Sequence, residues 1–229
     1  MFDKIEKLKS KLNDYRPLTE GEVKRLREEF LIDFTYNSNA IEENTLILQE
    51  TALIIKEGIT IDKKPLKEHL ESVGHKDAFY YVEELVKEKL ELSEKIIKDI
   101  HTLVLMDKPQ DRGVYRNILP QPYIVPKLME QLIGEYKEQS NDMHVVEKVS
   151  LFHLKFKSIH PFIDGNGRTG RLILNLELMK EGYPRINIKF KDRRKYYDCF
   201  TDYHKNNFDP KMLVSLVAGY LEEELQRYV

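Results

Sequence analysis

The sequence predicts an all-α protein, a helical bundle around one buried central helix. Apolar residues recur at helical spacing along most of the chain, and caps or prolines mark where helices begin and end. Residues 172–179 are apolar on nearly every side, as expected of a helix buried all round. Only the stretch 111–126, with its three prolines, clearly lacks a helical period.

The first half of the chain contains five predicted helices. The first covers residues 2–13, and the second opens at a capping box formed by Thr19 and Glu22 and runs to about Ile41. Two more are predicted over about 46–57 and 65–89. Ser93 is expected to cap the fifth, on which His101 is predicted to be a packed or hydrogen-bonded histidine.

Five helices are predicted after the irregular stretch. One begins at Pro126 and another covers 143–158, directly before the buried central helix. The stop signal Gly182-Tyr183-Pro184 ends the central helix. Asp192 is expected to cap the next helix, and the last covers 210–227.

Charge and cysteine content exclude several classes of protein. The 37 basic and 39 acidic residues give a net charge of −2, so composition offers no reason to expect binding to nucleic acid or to an anionic membrane. The single Cys199 excludes an internal disulfide, favours the cytoplasm and is predicted to be a buried small hydrophobe. The N-terminus does not resemble a signal peptide, and no apolar run approaches the length of a membrane span.

The most informative stretch is HPFIDGNGRTGR, His160 to Arg171, between a helix end and the start of the central helix. Backbone N–H groups at a helix start lack partners, and the helix dipole favours negative charge there. Glycines allow a ligand to approach the backbone closely. The stretch therefore predicts an anion site, and phosphate is a common occupant of such sites.

The polar residues of this stretch predict phosphate chemistry. Arg168 and Arg171 are three residues apart on the new helix, so both can face one phosphate group. Asp164 is a hard oxygen ligand suited to Mg²⁺ that is shared with substrate phosphates. His160 is a base with a working pKa near neutrality. Together they indicate nucleotide-dependent transfer to a hydroxyl group.

The stretch also resembles the signature of Fic-domain proteins, HPFx(D/E)GNGRxxR, and meets every fixed position. The resemblance implies a Fic fold and transfer of AMP from ATP, with Mg²⁺, to a Ser, Thr or Tyr hydroxyl of a target protein or of the chain itself. It assigns His160 to deprotonating the hydroxyl and Asp164 to the metal. It assigns nucleotide binding to Gly165, Asn166, Gly167, Arg168, Gly170 and Arg171.

The segment SNAIEEN, Ser38 to Asn44, resembles the Fic inhibitory motif (S/T)xxxE(G/N) in the subgroup that carries it N-terminal to the active site. The resemblance makes Glu42 the inhibitory glutamate, paired bidentately with the Arg171 guanidinium, and Ser38 the residue that steadies it. Glu43 departs from the pattern, which has glycine or asparagine there. A second carboxylate could compete with Glu42 or face water, and both interpretations stay open.

The resemblance also implies weaker assignments. Tyr197 is expected to line the nucleotide pocket, with a core role for Tyr196 and Tyr197 an equal alternative, and His204 is expected to contact the adenine edge. The GVYRN segment resembles the opening of the family's β-hairpin flap, of which Ile118 and Leu119 are expected to be a remnant. A short hairpin is thus the most β-structure expected.

The sequence as a whole predicts an auto-inhibited protein adenylyltransferase. Residues 1–229 are predicted to form a single Fic domain, with the resemblance covering about residues 30–225, an inhibitory helix over about 20–43 and a catalytic core over about 65–205. Expected partners are ATP and a protein target, without nucleic acid or membrane, and relatives of this kind often form homodimers. Two alternatives stay open: a hydrolase that uses Glu42 to remove AMP from a modified target, and a non-catalytic nucleotide-binding regulator.

Overall fold

The computed structural model describes residues 2–13, 18–117, 121, 123–139 and 143–228. These residues form ten α-helices and two 3-10 turns, without a β-strand among them, which confirms the all-α prediction. The helices are α1 Phe2–Asn13, α2 Glu20–Ile41, α3 Leu48–Glu57, α4 Leu66–Glu88, α5 Glu94–Val104, α6 Ile124–Glu138, α7 Val145–Ile159, α8 Asn166–Lys180, α9 Arg193–Lys205 and α10 Lys211–Gln226. The 3-10 turns are Pro109–Asp111 and Phe190–Asp192.

Helix α8 is the predicted central helix, and every residue from Asn166 to Leu178 on it is buried. It lies between two hydrophobic clusters. Leu174 and Leu178 belong to a cluster shared with α7, α9 and α10, whereas Leu176 belongs to one shared with α4, α5 and α6. Because both sides of the helix meet apolar partners, its N-terminus is held firmly in the middle of the bundle.

Helix α2 brings the second predicted motif to the same place. Thr19 and Glu22 form the expected capping box, and the last third of the helix is buried against α4 and α8. The helix ends at Ile41. Glu42, the residue after it, lies at the N-terminal end of α8, with its carboxylate against Gly167.

Two local predictions were wrong. Helix α6 begins at Ile124, two residues before Pro126, because proline is tolerated anywhere in the first helical turn. Asp192 does not cap α9 with its side chain; its carboxylate accepts a hydrogen bond from the Tyr220 hydroxyl instead. The cap at Ser93 and the burial of Cys199 are confirmed.

The segment 112–117, where the flap was expected to open, is irregular. Arg116 anchors it to the end of α7, because its backbone N–H donates to the carbonyl of Pro161 at 2.8 Å and its Nη2 donates to that of Ile159 at 3.0 Å. Ile118 and Leu119, the expected remnant of the flap, lie outside the described residues.

Candidate active site

The loop from His160 to Gly165 turns the chain from α7 into α8. His160 ends α7 in the left-handed conformation with φ of 51°, followed by Pro161, which cannot continue the helix. Gly165 precedes α8 with φ of 71°, a conformation that glycine adopts without steric cost. The predicted order of helix end, loop and central helix is confirmed.

A carboxylate of the protein itself lies over the N-terminus of α8. A Cβ atom added to Gly167 would be 1.9 Å from Oε1 of Glu42, so only glycine leaves room for that oxygen. The free N–H groups and the dipole at a helix N-terminus favour a negative group at this position. Glu42 thus occupies the site that the sequence predicts for an anion.

Arg171 is the main partner of this carboxylate. Its side chain is 2% exposed, and its Nη1 lies 2.9 Å from Glu42 Oε1. Ser38 contacts the same guanidinium: Nε donates to its hydroxyl at 3.0 Å and Nη2 donates to its carbonyl at 2.7 Å. Glu42 therefore uses one arm of the guanidinium rather than the two-armed pairing predicted from the sequence. Ser38 holds the arginine directly.

The charges around Glu42 keep it ionised. Burial raises the pKa of the carboxyl, but Arg171 and Lys157 oppose that effect and leave the pKa below its ordinary value. Burial lowers the pKa of Lys157, and the charge of Arg171 lowers it further, whereas Glu42 raises it. Lys157 was not predicted as a site residue; it is a cation beside both motifs, and its position one turn before His160 was the only signal in the sequence.

Arg168, the other arginine of the motif, has hydrogen-bond donors without partners in the part of the chain that the structure describes. Arg168 is 1% exposed, with Nη1 3.1 Å from Glu71 Oε1 and Nη2 3.7 Å from Asp164 Oδ1. Within the described residues its Nε and Nη1 have no hydrogen-bond partner of good geometry. Asn44 donates to the other oxygen of Glu71 at 2.8 Å. A buried guanidinium with spare donors is suited to receive an anionic ligand.

The protonation state of His160 suits its predicted role as a base. Burial lowers its pKa, and the charges of Lys157 and Arg116 lower it further, so the imidazole is neutral at neutral pH. The Asn166 amide receives the Phe162 N–H on Oδ1 at 2.9 Å, which identifies its Nδ2 as the donor 3.2 Å from His160 Nε2. Nε2 is therefore the unprotonated nitrogen of the neutral ring, and its lone pair must exchange the Asn166 contact for a hydroxyl proton when the ring acts as a base.

Asp164 suits a divalent cation. Burial raises its pKa, but the Lys108 ammonium, the Gly165 N–H and Arg168 together lower it to about 2. The described residues contain no group of three or more acidic, histidine or cysteine side chains that could hold a metal alone. A single carboxylate beside a phosphate site fits Mg²⁺, which is usually bound by one or two carboxylates together with substrate phosphates and water.

The partners of Asp164 were not predicted from the sequence either. Lys108, in the turn after α5, places Nζ 2.6 Å from Asp164 Oδ2. His101, expected to be structural, accepts from the Gly113 N–H through Nδ1 at 2.9 Å and contacts the Asp164 carbonyl through Nε2 at 3.0 Å. No local pattern links residues so far apart in the sequence. Only the packing of α5 against α8 reveals them.

Three other predicted site residues lie around this centre. The Tyr197 hydroxyl donates to the carbonyl of Ile41 at 3.4 Å, which places the ring beside the end of α2. His204 is exposed and contacts Ser158 at 3.0 Å. Gly170 faces α7, where an added Cβ would be 2.7 Å from the His153 ring. A ligand contact for each of them stays a prediction.

Tyr196 has a structural position. It is fully buried, its hydroxyl lies 2.6 Å from His153 Nε2, and it accepts from Arg171 at 3.5 Å. Tyr196 therefore has the core role that was the alternative interpretation. Its hydroxyl also contacts the Arg171 guanidinium.

Glu43 faces away from this cluster. Its Oε1 accepts from Arg193 Nη2 at 3.0 Å, and its side chain is 77% exposed. Of the two interpretations, an exposed position is the one observed, with Arg193 as a partner. The backbone of Glu43 has φ of 75°, where glycine or asparagine is favoured.

The described residues form an all-helical fold with an anion-binding site at the N-terminus of its central helix. Comparisons with known proteins identify the family. The Fic/DOC family matches residues 91–178. A solved structure of Fic-1 from C. elegans superposes with a TM-score of 0.89 at 30% identity, covering 99% of this chain and 69% of that chain. The chain belongs to the Fic family.

Two further comparisons agree. A Fic domain containing signaling protein from Bacteroides thetaiotaomicron superposes with a TM-score of 0.88 at 27% identity, covering 98% of this chain and 96% of that chain. The protein adenylyltransferase Fic of Drosophila grimshawi is 33% identical over 217 residues, which cover 90% of this chain and 44% of that protein. This chain spans about half the length of the curated relatives it matches.

The described residues also bear on membrane insertion. Among them, no helix is both long enough and apolar enough to cross a bilayer.

Proposed function

We propose that this chain is an auto-inhibited protein adenylyltransferase, which transfers AMP from ATP to a Ser, Thr or Tyr hydroxyl of a target protein or of itself. One observation carries the proposal: Glu42 occupies the N-terminus of α8 and pairs with Arg171 at 2.9 Å, as a substitute for an anionic ligand. Curated relatives that match most of the chain are named protein adenylyltransferase Fic, which supports the same activity.

In the proposed reaction, the triphosphate binds where Glu42 now lies. Backbone N–H groups at Asn166 and Gly167 and the guanidiniums of Arg168 and Arg171 surround its oxygens, and Gly165 lets the backbone approach them closely. His160 Nε2 accepts the proton of the acceptor hydroxyl as that oxygen attacks the α-phosphorus. The α–β bridging bond breaks and pyrophosphate leaves.

Asp164 would hold Mg²⁺, which neutralises phosphate charge when it is bound. Its low pKa keeps it ionised throughout the physiological range. In this structure Oδ2 is paired with Lys108, and Oδ1 accepts from the Gly165 N–H at 2.7 Å.

The proposed inhibition is competition between charges. While Glu42 pairs with Arg171, a γ-phosphate cannot use that arm of the guanidinium. A nucleotide that binds beside Glu42 is displaced, and its α-phosphorus is then out of line for attack. Activation requires Glu42 to leave the end of α8.

A second function is favoured by the same contact. A carboxylate held beside the site could align a water molecule and release AMP from a modified target. The third candidate, a nucleotide-binding regulator without catalysis, does not use the base at His160. Measuring AMP addition and AMP release with one purified target separates the three.

The other predicted parts of the molecule have proposed roles as well. Residues 1–229 act as one Fic domain, in which α2 is the inhibitory element and the region about 65–205 the catalytic core. Tyr197 and His204 contribute to nucleotide binding. The protein works in the cytoplasm, without nucleic acid or membrane, and forms a homodimer.

The test uses ATP labelled at the α-phosphate with Mg²⁺ and three proteins: the parent chain, Glu42→Gly, and Glu42→Gly combined with His160→Ala. Label is counted on the proteins themselves and on a cell lysate. We expect strong labelling with Glu42→Gly, weak labelling with the parent and none with the double variant. ATP binding by all three without any labelled protein would overturn the transferase proposal.

A further inference from the structure

We propose that Lys108 is the counter-ion of Asp164 in the proposed metal site. Its ammonium neutralises Asp164 in the metal-free protein and opposes the binding of Mg²⁺ to that carboxylate. The inference rests on the proposed function, because it concerns the same nucleotide site. Its consequence is that Lys108 weakens the dependence of ATP binding on Mg²⁺.

The two oxygens of Asp164 have different neighbours. Oδ1 accepts from the Gly165 N–H at 2.7 Å and lies 3.7 Å from Arg168 Nη2. Lys108 Nζ lies 2.6 Å from Oδ2. About a third of each side chain of the Lys108–Asp164 pair is exposed, so the pair is open to the site.

Mg²⁺ bound to the same carboxylate would lie close to this ammonium. The ion requires direct contact with an oxygen at about 2.0–2.1 Å. The ammonium and Mg²⁺ repel each other when they share the carboxylate, and also when the lysine is displaced to a position nearby. Lys108 therefore lowers the affinity of the site for Mg²⁺ either by occupying Oδ2 or by its charge.

The position of Lys108 is fixed by the fold. It lies in the turn between α5 and Gly113, and His101 ties that turn to the loop of the active site. His101 Nδ1 accepts from the Gly113 N–H at 2.9 Å, so the neutral ring carries its proton on Nε2 and donates to the Asp164 carbonyl at 3.0 Å. The same ring stacks on Phe162 with centroids 3.6 Å apart.

Further contacts close the turn itself. Arg112 Nε donates to the carbonyl of Leu105 at 3.1 Å, and its Nη2 donates to that of Met106. Gly113 has φ of +64°, and an added Cβ would be 2.5 Å from Thr102 Oγ1, so another residue would not fit without movement. The contacts of His101, Arg112 and Gly113 thus hold this turn, and with it Lys108, beside Asp164.

This arrangement affects the nucleotide as well. Without a metal ion, an unpaired Asp164 would repel the triphosphate, and Lys108 offsets that charge. Removing the ammonium should therefore weaken ATP binding in a chelator and strengthen the binding of the metal. From the usual strength of partly exposed ion pairs, each change should be about two- to five-fold.

The test measures ATP affinity by calorimetry in EDTA and in saturating Mg²⁺, and Mn²⁺ affinity of the nucleotide complex by electron paramagnetic resonance. The proteins are the parent, Lys108→Met, Lys108→Arg and a control, Lys95→Met. Lys95 forms a similar ion pair on α5, 2.6 Å from Asp99, and neither residue belongs to the proposed site. Thermal unfolding of each variant checks that the fold is intact.

We expect the ratio of the ATP dissociation constant in EDTA to that in Mg²⁺ to rise about two- to five-fold in Lys108→Met, because by thermodynamic linkage this ratio changes by the same factor as the metal affinity of the nucleotide complex. Mn²⁺ affinity should rise about two- to five-fold. Lys108→Arg and Lys95→Met should resemble the parent. An unchanged ratio, or weaker Mn²⁺ binding in Lys108→Met, overturns the role of Lys108 alone, whereas a parent that binds no ATP overturns the proposed function as well.

Discussion

Arg171 donates two hydrogen bonds to Ser38, one to its hydroxyl at 3.0 Å and one to its backbone carbonyl at 2.7 Å. The last turns of α2 therefore orient the guanidinium before any nucleotide arrives. Glu42, four residues further on, takes the remaining arm. The end of α2 thus orients Arg171 for a phosphate. In the proposed mechanism it also prevents that guanidinium from binding one.

Replacing Ser38 with alanine tests the first of these roles. The variant leaves the buried Nε–H of Arg171 without an acceptor, so we expect the free energy of unfolding to fall by about 1–2 kcal/mol. Urea denaturation measures the change. Ser158→Ala is the control, because that serine is exposed, and its effect should stay within about 0.5 kcal/mol. Equal losses in the two variants would contradict the role of Ser38.

Neutralising each of two adjacent carboxylates tests the second role. Glu42→Gln removes the charge that pairs with Arg171, whereas Glu43→Gln removes one that pairs with the exposed Arg193. We expect a rise in self-labelling by ATP of at least about ten-fold for Glu42→Gln, since the lost charge interaction is worth roughly 1.4 kcal/mol or more. Glu43→Gln should label like the parent. Activation by both variants would mean that net charge, and not the position of Glu42, controls the site.

Local patterns made much of the fold predictable. The capping box at Thr19 and Glu22, the cap at Ser93 and the apolar run of α8 each depend on neighbours in sequence, and each is confirmed. The loop around Gly165 was equally clear, because its residue types occur together in one short stretch.

The partners of the site residues were not predictable in this way. Lys108 is 56 residues from Asp164, and His101 is 63 residues from it. Glu71, which pairs with Arg168, has the sequence context of an ordinary helix surface and is nevertheless buried. Contacts of this kind depend on how helices pack against one another, and helical periodicity alone does not specify that packing.

A pair of glycine substitutions tests how closely α7 and α8 approach. An alanine at Gly170 would place Cβ 2.7 Å from the buried His153 ring, so we expect Gly170→Ala to lower the free energy of unfolding by about 1–3 kcal/mol. Gly134, on α6, has nothing within 4 Å of an added Cβ. Gly134→Ala should therefore raise stability by about 0.5–1 kcal/mol. Urea denaturation compares the two, and a neutral Gly170→Ala would contradict the close contact.

Buried neutral histidines should make the fold labile to acid. Burial lowers the pKa of His153 to about 3, helped by the charges of Lys157 and Arg171, and burial lowers that of His101 to about 4. Each unfolded histidine has a pKa near 6.5, so between these values the unfolded chain binds a proton that the folded chain does not. Stability therefore falls as the pH drops below about 6.5, by up to about 1.4 kcal/mol per pH unit for each histidine.

Replacing His153 with glutamine removes one of these titrations. We expect the variant to be less stable than the parent near pH 7.5, because a buried ring is lost, but to lose stability more slowly between about pH 6 and pH 4, by about 1.4 kcal/mol per pH unit. Asp164 acts in a different window: its pKa of about 2 makes its contribution disappear only as the pH falls below about 4. Urea denaturation across this range measures the slope, with exposed His204→Gln as the control. Parallel pH profiles for His153→Gln and the parent would show that His153 is already protonated in the folded protein, or that it does not titrate in the unfolded chain as assumed.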